Sequence, residues 1–565
     1  MAYFLKKQRQ GKQIYLAIYE SFYSSDTKGT KHKCYKSLGS VNKLKETGIN
    51  DPIAHFQKEV DELNKTSVSK KEVLISDDPI LKNLGYFPIK SLINKLDVKK
   101  TLDLFKLVNN FDYDLYTLIT TLVYARCVKP CSKYKTYFEV IPSLFESVNY
   151  SYDQLLDGLS FIGNDYEKFV ELFFKAYKDK YGSDTSKTYF DCTNFYFEID
   201  KEDDFRRKGP SKENRKDPLV GLGLLLDANQ IPIWMKLYPG NKSEKPVLRE
   251  VINDLKDRDA KIGRTIHVAD KGLNCAENIA FSKTNKDGYI FSKSVKQLPE
   301  VEKTWVLNNN DWKTVKDKDG QILYKYKSCV DDFSYSFIRD DKKISVKLKE
   351  KRLLTYNPSL AKKKLYEIDR MIEKARSLVL SKAKKSEFGE SSKFVDFVVA
   401  NKKTGEIKDD AICLSINEDK IKKEKELVGY NLIVTSEINI PDKELYATYH
   451  NLWRIEESFK VMKSDLDARP VYVQKEETIK GHFLICFLTV MLERILQFKT
   501  YDNKYSTNDL MNFFKDFSLV KTDNGYINAS KSTDFITDFT KETSLPLNHL
   551  NISETKLKKI LNYKI

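Results

Sequence analysis

Between Lys187 and Lys293 the chain sets out apolar runs and turns in an order that few folds accommodate. Lys187 to Ile199 reads as a strand bounded by polar residues. Leu219–Leu226 and Ile231–Leu237 read as a hairpin turning at Asp227-Ala-Asn-Gln, and Pro239-Gly-Asn closes it. Ser243 then caps a helix running to about Arg258. Arg264 to Ala269 is a short buried strand ending at Asp270, a helix covers Ala276 to Ser282, and Tyr289 to Lys293 is a further strand. Three antiparallel strands followed by strands alternating with helices imply a mixed sheet with helices packed on it, an α/β class.

The rest of the chain arranges itself around that block. Residues 2–40 alternate as short strands, with Ile14, Leu16 and Ile18 on one face and Tyr15, Ala17 and Tyr19 on the other. They form a basic β-meander whose lysines either touch DNA or are simply solvated. A polar linker with one helix follows, so residues 1–75 make one region. Residues 76–185 read as helical. Within them Tyr113–Arg126 is strongly apolar, and CVKPCS separates it from Lys133–Val140. That turn is either a helix-turn-helix or, more simply, a plain helical hairpin. Residues 186–300 hold the first part of the sheet. Residues 301–440, β-rich around a charged helix at about 361–384, read as an insertion. Residues 441–500 resume the core, and 501–565 read as a helical end.

Composition narrows the partners. Lys and Arg number 97 against 81 Asp and Glu, a net +16, which suits a polyanion such as nucleic acid, or else reflects a lysine-rich source. The eight cysteines are scattered, and no His stands at zinc-site spacing from Cys127 and Cys131, so they read as reduced thiols of a cytosolic protein. No leader pattern opens the chain. The apolar run Phe483–Leu492 is too short to span a bilayer and reads as a buried helix.

Three acids stand out. Asp191 lies mid-strand among aromatics in YFDCTNFYF, where a charge is costly unless paired or bound to a metal. Asp270 ends the strand IHVAD, with Lys271 next. Glu456 belongs to YHNLWRIEESFKVMK, Tyr449 to Lys463, read as one helix. There Leu452, Ile455, Phe459, Met462 and Leu466 make the core stripe. Tyr449, Glu456 and Lys463 stack in a bordering row, with Trp453 and Lys460 on its other side. Each acid also has a plain reading: a hydrogen-bonded buried Asp191, Asp270 as a helix cap, and Glu456 paired with Lys460. Should the three converge, they suit a hard cation, above all Mg²⁺, and two such ions can drive phosphodiester cleavage. Lys271, Lys460 and Lys463 then supply charge for a DNA backbone.

In these segments the chain resembles insertion-sequence transposases with a DDE site on a ribonuclease H-like fold. The helix is similar to that of the subgroup named for a Tyr, Arg, Glu, Lys pattern: Tyr449, Trp453, Ile455, Glu456, Glu457 and Lys463 match, while Leu452 fills the Arg place. YFDCTNFYFE resembles the first-Asp strand and VADKGLNCAENI the second-Asp segment. VKPCSKYKTY and MKSDLDARPVYVQ...GHFLICFLTVML look like flanking blocks, so the resemblance spans roughly residues 100–500. It implies a ribonuclease H-like mixed sheet interrupted by the β-rich insertion, with a helical DNA-binding region before it. It also implies that Asp191, Asp270 and Glu456 hold two Mg²⁺ ions, with Mn²⁺ able to substitute, and that Tyr449 and Lys463 position phosphates. The activity implied is cleavage at element ends and strand transfer into target DNA, by a homodimer on DNA in a bacterial cytoplasm, nucleoid-associated and without membrane. A structure-specific nuclease of the same fold, and a non-catalytic DNA-binding descendant, are the alternatives.

Overall fold

The computed structural model describes residues 2–24, 29–67, 79–109, 111–212, 216–259, 262–380, 385–397 and 413–565. It separates into two compact units, Met1–Asp78 and Pro79–Ile565.

In the first unit β1 (Ala2–Gln10), β2 (Gln13–Ser24) and β3 (Gly29–Ser40) form an antiparallel meander. The period-two reading holds, since Leu16 and Ile18 are buried. The expected linker is a second layer instead. Pro52–Ser67 is a helix whose Phe56 and Val60 are buried, and Asn64 clasps the Tyr3 backbone with bonds of 2.7 and 2.8 Å. A three-stranded sheet needs such a cover for its apolar face.

In the second unit β4 (Leu81–Asn83) precedes a helical region, as expected for residues 76–185. The sheet follows: β5 (Lys187–Tyr196), β6 (Leu219–Leu226), β7 (Pro232–Pro239), β8 (Ile266–Ala269) and β9 (Gly288–Lys293). Their spatial order is β7-β6-β5-β8-β9. β5 to β7 run antiparallel, whereas β8 lies parallel to both β5 and β9. This is the ribonuclease H-like mixed sheet.

The region 301–440 differs from a free-standing insertion. β10 (Lys313–Lys316), β11 (Ile322–Arg339) and β12 (Lys342–Tyr356) continue the same sheet through β15 (Tyr430–Thr435), which pairs with β9, giving nine strands. Between them the Pro358–Leu380 helix and the small pair β13 (Val395–Phe397) and β14 (Cys413–Ile416) pack around their own minor cores, one centred on Ile368, Ile372, Phe394 and Ile421. Residues 501–565 are not purely helical either. β16 (Ser518–Thr522), β17 (Gly525–Asn528) and β18 (Asn551–Ile552) pair with β4 in a four-stranded sheet.

The apolar run at 483–492 is the middle of the Glu476–Ile495 helix, buried almost throughout. It crosses the Tyr152–Asn164 helix at glycines: a Cβ on Gly163 would stand 1.8 Å from the Glu477 carbonyl oxygen, and one on Gly481 2.1 Å from that of Leu159. On its other side Phe483 meets Phe195 of β5 at 4.7 Å between ring centres. Among the described residues no helix is long and apolar enough to cross a membrane.

Candidate active site

β5 and β8 stay in parallel register up to Phe190 and Ala269. The next residues along are Asp191 and Asp270, so the two acids leave adjacent strands side by side at the carboxyl end of the parallel pair. In open α/β sheets this edge is where sites form. β5 continues past β8 because β6 goes on pairing with it, which is why Asp191 looks mid-strand in the sequence.

Asp191 is poorly satisfied for a largely enclosed carboxylate. Its Oδ1 accepts from the Cys192 amide at 2.8 Å, and the Lys212 ammonium stands 3.8 Å away. Burial pushes its pKa up to about 6; Lys212 opposes that rise, and the charges of Glu244 and Asp270 add to it. Lys212 also lies 3.5 Å from Glu244 and donates to the Cys192 carbonyl. It thus bridges Asp191 to the first turn of the Glu244–Arg258 helix. Ser243 is the N-cap residue there, as expected, but its side chain makes no capping bond. Neither Lys212 nor Glu244 had been singled out. A polar-loop lysine and a first-turn glutamate carry no mark in a sequence, and only the fold brings them to Asp191.

Asp270 is exposed, and the Tyr449 hydroxyl donates to its Oδ1 at 3.0 Å. Although Asp270 takes the N-cap position of a short turn at Lys271–Leu273, its side chain makes no cap bond, so the helix-cap reading fails. Lys271 is exposed beside it.

The segment 449–463 is helical, but it is three pieces rather than one helix. Asp442–His450 ends at Asn451-Leu452, where short i→i+3 bonds turn the chain. Trp453–Lys460 follows, and Val461–Asp465 is a wider π turn. Tyr449 therefore sits on the preceding helix. It still ties this segment to Asp270, and burial followed by the Asp270 charge raises its hydroxyl pKa, with Glu456 adding to the rise. Trp453, Glu456 and Lys460 share the exposed face of the middle piece, while Ile455 and Phe459 are buried. No ion pair joins Glu456 to Lys460 among the described residues, so the surface-pair reading of Glu456 is not met. Lys463 is half-buried, with its ammonium 5.5 Å over the Phe195 ring, on the same face of β5 as Asp191.

Leu452, in the Arg place, is buried. Arg454 does not replace it. Its guanidinium pairs with Glu457 at 3.1 Å and stacks on Trp453, and Arg494 holds the same Glu457 at 3.0 Å. Among the described residues no three His, Cys, Asp or Glu side chains are gathered tightly enough to hold a metal ion. Carboxylates at one edge repel one another, and here Lys212 and Tyr449 take up their oxygens. The donor chemistry nonetheless fits a hard cation, since the potential ligands at the edge are carboxylates alone.

The protein thus has a ribonuclease H-like α/β fold with acids at the carboxyl end of its parallel strands. The family described as Transposase DDE domain matches residues 183–492, more than half of the chain, and the protein belongs to it. No curated protein matches the chain. Family membership makes it a transposase in the general sense.

Proposed function

We propose that the protein is a metal-dependent DNA transposase of the Tyr-Arg-Glu-Lys helix subgroup, which cuts at the ends of its element and joins them to target DNA. One observation carries the reading: Asp191 and Asp270 stand side by side on the parallel strands β5 and β8, and Tyr449 fastens the Glu456-bearing segment to Asp270. Asp191, Asp270 and Glu456 would hold the metals, with Mg²⁺ as the natural ion and Mn²⁺ as a substitute. Bound there, two divalent ions would activate a water and stabilise the departing oxygen.

The chain's own groups do the rest. Tyr449 orients Asp270 through its hydroxyl. Lys271, Lys460 and Lys463 offset backbone charge, and exposed Trp453 offers a ring for an unstacked base. In the first step a water oxygen bonds to phosphorus, the phosphorus–O3′ bond breaks, and the 3′-hydroxyl is released. In the second, that hydroxyl attacks a target phosphodiester, which gives up its own 3′-oxygen. End recognition falls to residues 1–185, and pairing two ends calls for a homodimer on DNA.

The test is incubation of purified protein with duplexes carrying the gene's flanking ends, with Mg²⁺, Mn²⁺ or chelator. Metal-dependent nicking at the ends and joining to a target plasmid are expected, both lost in Asp191→Asn while end binding persists. Cutting without joining would reduce the reading to a nuclease. Binding without cutting by the parent protein would reduce it to a DNA-binding descendant.

A further inference from the structure

Away from the acids, two cations are buried without an anion. Arg126 closes the Leu115–Val128 helix, and Lys133 opens the turn after CVKPCS. Their relative exposures are 4% and 5%. Neither forms an ion pair among the described residues. A helix-turn-helix would have turned Lys133 toward a DNA groove; it lies inside instead, so that reading is set aside.

What surrounds these cations is polar but neutral. The His482 Nε2–H donates to the Ala468 carbonyl at 3.1 Å, which leaves Nδ1 as an acceptor. That one lone pair faces both the Lys133 ammonium at 3.3 Å and the Arg126 guanidinium at 3.5 Å. Arg126 also donates to the Leu466 carbonyl at 3.2 Å. An ammonium has three donors and a guanidinium five, so both keep donors to spare. Burying an unpaired cation forfeits its hydration, and two side by side add mutual repulsion. Burial and the nearby Arg126 charge bring the Lys133 pKa down to about 7, the same strain seen as acidity.

These side chains line a cavity of about 390 Å³. Lys135 and Arg469 line it too, and the sole acid in its wall is the exposed Asp467. Two cations buried side by side with donors to spare, with Lys135 at the same wall, make a site built to receive an oxyanion. Leu466, Asp467 and Arg469 belong to the stretch leaving the π turn of Lys463. A backbone followed past Lys463 therefore comes next to this cavity.

We infer that the cavity between the Leu115–Val128 and Glu476–Ile495 helices is an oxyanion site that binds a phosphate group, gripped by Arg126 and Lys133. Planar guanidinium and ammonium donors suit phosphate oxygens. The site itself does not depend on the transposase reading. That reading bears only on the source of the phosphate, which we assign to a DNA backbone.

The full chain provides the test, by thermal unfolding in rising inorganic phosphate against chloride at equal ionic strength. A saturating upward shift of the midpoint is expected, as for any ligand that binds only the folded state. Lys133→Met should abolish the shift. Because it also removes an unpaired buried charge, its midpoint without phosphate should equal or exceed that of the parent. Should Lys133→Met fail to fold, Lys135→Ala, an exposed change, should still weaken phosphate binding severalfold. A parent with no phosphate-specific shift, or variants that keep it in full, overturns the site. Anisotropy with a short duplex then tests the source: at least a tenfold loss of affinity in Lys133→Met, with competition by phosphate, supports the backbone. A lost phosphate shift with unchanged duplex affinity keeps the site and overturns the DNA source. Neither readout requires cleavage, so failure of the transposase activity is seen separately.

Discussion

Asp191 is held in a place that suits its charge poorly. Its folded pKa of about 6 lies above the ordinary carboxylate value near 3.9. The group therefore favours the folded state below about pH 4, and that contribution is lost as pH rises through about 6. In chelator, Asp191→Asn should raise the unfolding midpoint at pH 7 and narrow its gap to the parent at pH 4, as calorimetry across that range will show. Tyr449→Phe belongs to the same scale. It removes one hydrogen bond to the exposed Asp270 carboxylate, which water can satisfy in its place, and leaves the ring packed. End cleavage should fall at least about tenfold with little change in stability. The two aspartates were legible in the sequence because a charge in an aromatic strand and one at a strand's end are both anomalies. Lys212 and Glu244 were not, since an ion pair spanning that much chain leaves no local trace.

At the scale of elements, two helices approach closely where they cross on Gly163 and Gly481. Alanine at either site forces the backbones apart and should cost about 1–3 kcal/mol, measured by urea unfolding. Alanine at Gly263, where an added Cβ meets nothing within 4 Å, should change stability by less than about 0.5 kcal/mol. Periodicity revealed the Tyr449–Lys463 segment as helical. It did not reveal the turn at Asn451-Leu452, because neither residue forbids helix and the bend is set by packing around Leu452. The π turn after Lys460 is equally silent, and it shifts Lys463 off the phase a straight wheel assigns.

For the molecule as a whole, the division at Asp78 predicts that residues 79–565 fold alone. That fragment should unfold cooperatively with a midpoint near that of its counterpart in the full chain, yet bind element ends more weakly by gel shift. Five strands and the mixed character of their sheet could be read from the alternation of strand and helix, but not their order across the sheet. The outer four could not be assigned to the same sheet, because the β9–β15 pairing joins residues about 140 positions apart and nothing local announces it. The long hairpin of β11 and β12 has a mechanical consequence. It is rooted in the sheet through β12, and the same strand reaches back to the Ala276–Thr284 helix, where Lys283 donates to the Lys347 carbonyl at 2.8 Å. That short helix directly follows the Asp270 loop, so the loop hangs from a brace anchored at both ends. Under the proposed function, a loop braced in this way would favour DNA that is itself bent or unpaired on reaching Asp270.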